Sequence, residues 1–110
     1  MLIPLALFAV LATPAEAQAA HCDARATLAG RIMELRQNRT PREDVALLAG
    51  ETADPALAAN LIARAYAEAP GQGADARAAQ SFHFAARVHE ECILGNSLAT
   101  KGEFRSVRRR

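Results

Sequence analysis

Two short segments at opposite ends of the chain hold its most reactive residue types: His21-Cys22 near the start and His89-Glu90-Glu91-Cys92 near the end. A His and a Cys three apart on a helix share a face. If the segments meet, the imidazoles and thiolates of His21, Cys22, His89 and Cys92 form a valid zinc or copper ligand set. The same sulfurs can instead bond to each other, which removes both thiolates and leaves the histidines as flanking residues. Compartment decides between the two, because disulfides persist in oxidising surroundings.

Nothing else in the sequence is arranged for catalysis. There is no Cys-x-x-Cys pair, haem attachment sequence, glycine-rich phosphate loop, nucleophile elbow or His-Glu-x-x-His. Ser81 and His83 are two apart and diverge on a helix, which defeats a local nucleophile and base. Glu90 and Glu91 are adjacent and cannot face the same way. His89 reads as a hydrogen-bonded core histidine, with His83 projecting some 120 degrees round the helix from it. Tyr66 reads as a core aromatic with its hydroxyl at the rim. Asn38-Arg39-Thr40 matches the glycosylation pattern, but Pro41 follows and Thr40 is expected to cap a helix. The expectation is a non-enzymatic protein without a cofactor, with metal binding through the His/Cys set as the alternative.

The compartment is written in the first residues. Leu2 to Ala12 is an uncharged apolar run of eleven residues, the length of a secretory h-region and well short of the ~20 residues that span a bilayer. Thr13-Pro14 breaks that run, and Ala15-Glu16-Ala17 fits a small-x-small cleavage site before Gln18, with a second cut available after Ala20. The departure is that no Lys or Arg precedes the run. Cys22 follows His21 rather than a small residue, which argues against a lipoprotein. Residues 1–17 therefore read as a cleaved signal peptide, and the mature chain as periplasmic or secreted, with no transmembrane segment. There the two cysteines are expected to pair across 70 residues of sequence.

The elements that would position these residues are helical. Thr40-Pro41-Arg42-Glu43 reads as a capping box opening a short helix that ends at Gly50, where a left-handed residue is expected. Asp54-Pro55 repeats the cap and first-turn signal. Leu57, Ala58, Leu61, Ile62, Ala65, Tyr66 and Ala69 then follow helical spacing up to Pro70-Gly71. Upstream, Ala26, Leu28, Ala29, Ile32, Met33 and Leu35 mark a helix over about 23–38. Downstream, Asp75 is expected to cap a helix ending at Gly95, with Ala78, Phe82, Ala85, Ala86, His89 and Ile93 as its buried stripe. No segment alternates as a strand would. In an up-and-down chain of four helices the start of the first and the end of the last lie together, which is where Cys22 and Cys92 fall. The predicted fold is all-α: a small four-helix bundle over 18–95, its second helix short, closed by one disulfide.

Composition limits what such a body can do. Alanine fills 27 of 110 positions and aromatic residues only 5%, so the core must be thin. Thirteen basic against twelve acidic side chains give a net charge of +1, which excludes a whole-domain grip on nucleic acid. The charge is unevenly placed. Residues 18–95 carry 8 basic and 10 acidic side chains, whereas 96–110 holds Lys101, Arg105, Arg108, Arg109 and Arg110 against Glu103 alone. That segment reads as a disordered basic tail, and functionally as an electrostatic tether to an anionic envelope surface or an acidic partner.

Without its signal, the pattern running from Cys22 to Arg36-Gln37, through Leu61 to Ala65-Tyr66 and on to Cys92, resembles a set of uncharacterised small exported bacterial proteins with one disulfide and a helical body. The architecture is also similar to that of periplasmic acid-stress chaperones, which implies opening in acid and binding of unfolded clients. Type VI secretion immunity proteins are comparable in size and compartment, but the glycine and cysteine signature expected of them is absent. Together these readings imply a protein that acts by binding another protein or an envelope surface.

Overall fold

Prolines, capping side chains and two residues at positive φ, Arg39 and Gly73, divide the described residues into four helices. The computed structural model describes the backbone of residues 13–108 and the side chains of residues 13–95, so the apolar run Leu2–Ala12 and the terminal Arg109 and Arg110 lie outside the described residues. The helices are α1 (Pro14–Gln37), α2 (Arg42–Ala49), α3 (Pro55–Tyr66) and α4 (Ala74–Arg108), with no strand among the described residues. The all-α four-helix fold and the short second helix are as the sequence predicts.

The boundaries differ in instructive ways. Thr-Pro-x-Glu occurs twice, and the reciprocal capping box forms at the first copy rather than the second. Glu16 N–H donates to Thr13 Oγ1 at 3.2 Å, and Thr13 N–H donates to Glu16 Oε2 at 3.3 Å. Thr13-Pro14 thus starts α1 well upstream of the expected Asp23. The expected cut after Ala17 falls inside this helix, and cleavage there would leave 18–37. At the second copy the cap position belongs to Pro41, with no side-chain cap bond. Thr40 is already committed: its N–H donates to Leu35 O at 3.0 Å, and its carbonyl accepts from the Tyr66 hydroxyl. Arg39, at φ 60°, is the left-handed residue that closes α1. Arg39 N–H bonds Arg36 O and Thr40 N–H bonds Leu35 O, the paired closure of a Schellman motif.

Gly50 ends α2 in right-handed geometry, φ −62°, rather than the left-handed form expected of it. Asp54 caps α3 as read, accepting from Leu57 N–H at 3.1 Å, and α3 ends at Tyr66, which leaves Ala69 exposed in the following loop. Gly71 in that loop is required by space. A Cβ there would lie 2.9 Å from Ala76 C and Arg77 N at the start of α4. Asp75 lies within the first turn of α4, and the cap position falls to Gly73, whose carbonyl accepts from Arg77 N–H. Gly95 does not stop α4 either. It keeps a negative φ, and the helix continues to Arg108 where the sequence suggests an unstructured tail. One interior glycine costs a helix about 1 kcal/mol, too little to end it when helix formers follow.

α1 and α4 form the spine, an antiparallel pair held in register by the Cys22–Cys92 disulfide and by Gly30 packing on Ala85. α3 lies along α1, and α2 packs on α3. The core draws Ala29, Ile32 and Met33 from α1, Val45 and Ala49 from α2, Ala58, Leu61, Ile62 and Ala65 from α3, and Phe84 and Val88 from α4. Phe84 and Met33 are the largest fully buried side chains, packed among medium aliphatics such as Leu61, Ile62 and Val45 and four alanines. The stripe on α4 is therefore not the one the sequence suggests. Ser81, Phe84, Val88 and Cys92 are buried, while Phe82 is 70% exposed and Ala78 and Ala86 are also exposed. The disulfide sets this face, because Val88, Phe84 and Ser81 follow Cys92 backwards at helical spacing.

Candidate interaction face

Near the disulfide, α1 and α4 are joined a second time. His89 Nε2 lies 2.9 Å from Asp23 Oδ1, one turn from Cys92 and one residue from Cys22. His89 is half-exposed and makes a surface pair rather than the core bond expected of it. The metal set is not assembled: both sulfurs are in the disulfide, His89 faces Asp23 and His21 is exposed. Among the described residues no three His, Cys, Asp or Glu side chains are placed to hold a metal ion. Ser81 is buried and His83 exposed, so they do diverge, and the His83 ring meets Phe82 edge-on at 5.7 Å. Glu91 pairs with both terminal nitrogens of Arg64 at 2.8 and 2.9 Å, tying α3 to α4.

The far end of the spine is clasped by polar side chains that sequence reading passed over. Gln37 is buried; its Oε1 accepts from Gly71 N–H at 2.7 Å and its amide reaches Met33 Sδ at 3.2 Å. Arg36 donates from Nε to Glu68 O at 3.0 Å and lies 5.0 Å over the Tyr66 ring. Burial pushes the Tyr66 phenol above its ordinary value of 10.0, with the Arg36 guanidinium acting in the opposite direction. These bonds fix the α3–α4 loop against the end of α1. They explain Tyr66 as a structural residue with its hydroxyl at the rim, as the sequence suggests.

The other side of the spine is open. α2 and α3 cover one face of the α1–α4 pair, and the opposite face is a groove of about 710 Å³ lined by α1 and α4 alone. Its floor is small, with Ala26, Gly30, Ala78 and Ala85 contributing little beyond backbone and methyl groups. Phe82 stands at its rim, and Arg31, Glu34 and Arg77 supply charge. Ser81 faces into it from the floor, 8% exposed, with no hydrogen-bond partner among the described residues. An open apolar floor with one aromatic knob suits the docking of a helix, which needs close backbone approach and a few anchors. A second hollow of about 560 Å³, lined by Glu68, Gln80, His83, Ala86, Arg87 and Glu90, is polar and partly filled by the Arg87–Glu68 pair at 3.0 Å.

Lys101, Arg105 and Arg108 fall within the last turns of α4. No described helix is long and apolar enough to cross a membrane. No protein-family model, curated protein or solved structure matches this chain.

Proposed function

We propose that this chain is a small exported, non-enzymatic helical protein, periplasmic or secreted, that acts by binding another protein through the open α1–α4 face. The observation that carries the reading is Phe82, a large aromatic side chain 70% exposed at the rim of a groove whose floor is built from alanine and glycine. An aromatic left in water beside a small-residue floor is what an unfilled helix-docking face presents. Export is supported by the apolar run before Gln18 and by the disulfide, which needs an oxidising compartment to persist. The basic residues from Lys101 onward supply a secondary attraction to an anionic envelope surface, worth about 1 kcal/mol for each one close to it.

A photo-crosslinking residue at position 82, with the same residue at position 90 on the polar side of α4 as control, tests the reading in a bacterial host exporting the full chain. Adducts at 82 and none at 90 are expected. No adduct at 82, or equal labelling at both positions, overturns the binding face. Turnover of an envelope substrate by the purified mature protein overturns the non-enzymatic reading.

A further inference from the structure

The partner that best fits the open face is a second copy of this chain. The register of the spine shows why. Cys22 lies opposite Cys92 and Gly30 opposite Ala85, so counting forward on α1 and back on α4 brings Phe82 level with the interval between residues 32 and 33. That interval is the midpoint between Arg31 and Glu34, which sit one turn apart, both exposed and both lining the groove. A two-fold axis lying in the face and crossing the spine at this level sets α1 antiparallel on its own copy and α4 on its own copy. It then places Arg31 opposite Glu34 of the second copy, twice, and brings the two Phe82 rings together at the axis. Ala78 and Ala85, about one turn to either side of Phe82, leave the helices room to close around the ring pair.

We infer that the protein self-associates as a two-fold dimer through the α1–α4 face, with Phe82 at the axis and two Arg31–Glu34 pairs across it. This inference rests on the reading of that face as a binding surface and names its occupant. Three features of one patch agree on a single axis: an aromatic knob, a floor of small residues and a charge pair of opposite sign. Self-complementarity of this kind is what an isologous interface requires. Ser81, which has no hydrogen-bond partner among the described residues, lies beside the axis. The two helices run side by side over about 30 Å, the length of α1 from residue 18, and offer about 600 Å² per copy, which is at the small end of specific interfaces. Association is accordingly reversible and concentration-dependent.

Sedimentation equilibrium of the mature, disulfide-bonded protein from micromolar to sub-millimolar concentration tests this, with far-UV circular dichroism confirming that each variant folds. The wild-type chain is expected to pass from monomer to dimer mass. Arg31→Glu and Glu34→Arg, each placing like charges across the axis, weaken association about tenfold or more, and the double reversal R31E/E34R restores it. Phe82→Ser abolishes it. A wild-type chain that stays monomeric throughout overturns the inference, as does a dimer indifferent to Phe82→Ser or a double reversal no better than the singles. The crosslink at position 82 separates the two proposals. An adduct of twice the chain mass supports the dimer, an adduct with a different protein in a monomeric sample leaves the binding face standing and overturns the dimer, and no adduct overturns both.

Discussion

Among the described residues Arg39 is the non-glycine residue held at positive φ, and replacing it tests the closure of α1 directly. At φ 60° its Cβ crowds the adjacent carbonyl, a strain of about 1–2 kcal/mol for an L-residue. The position cannot relax, because Arg39 N–H and Thr40 N–H both bond carbonyls of the last turn and Thr40 O holds the Tyr66 hydroxyl. Its guanidinium is exposed and makes no ion pair with a described residue, so nothing is lost with the side chain. Arg39→Gly removes the strain but gives the unfolded chain extra freedom worth about 0.5–1 kcal/mol. The net expectation is a gain of about 0.5–1 kcal/mol, which at about 4–8 °C per kcal/mol raises Tm by about 2–8 °C in thermal denaturation followed by circular dichroism. Two controls isolate the cause. Arg39→Ala keeps the strained φ and should leave Tm nearly unchanged, while Asn38→Gly, at an ordinary φ of −82°, should lower it. An Arg39→Gly chain no more stable than Arg39→Ala would refute backbone strain at this position.

Reduction of the Cys22–Cys92 bond, which closes a 70-residue separation, should lower the stability by about 4 kcal/mol in urea titrations run with and without reductant. Phe84→Ala, which empties the largest buried side chain, should cost about 3–5 kcal/mol, whereas Phe82→Ala should change monomer stability by less than about 0.5 kcal/mol; denaturant titration at low concentration separates them. Tyr66 has a phenol raised by burial, so the folded state favours its protonated form. That contribution is complete below the unfolded value near 10 and is lost as pH rises through the higher folded value. Stability followed by pH titration should fall above about pH 10, and Tyr66→Phe should lose that fall while costing about 1 kcal/mol at neutral pH.

The sequence carried the helix count, the short second helix and the disulfide because each rests on local or arithmetic signals. Asp54-Pro55 is a cap whatever surrounds it, and two cysteines have one way to pair with each other. What it could not carry depended on competition between distant groups. Thr40 has the right neighbours for a capping box, but its N–H is taken by Leu35 O and its carbonyl by Tyr66. On α4 two apolar stripes compete, one through Phe82 and one through Phe84. Counting back from Cys92 would have selected the second, since 88 and 84 follow it at steps of four. The open face was legible only in part: alanine-rich stretches of both spine helices are plain in the sequence, but which face α2 and α3 would leave uncovered is a tertiary outcome. His89 was misplaced because its apolar neighbours belong to a surface face, where Asp23 meets it.

Export and the Cys22–Cys92 bond are tested together by one measurement, intact mass. Protein recovered from the envelope or medium of a host expressing the full sequence would be treated with an alkylating reagent, with and without prior reduction. The predicted mass begins at Gln18 and takes up label on two cysteines only after reduction. A full-length mass with two thiols labelled without reductant would contradict export and the disulfide together, and with them the compartment in which the α1–α4 face is proposed to act.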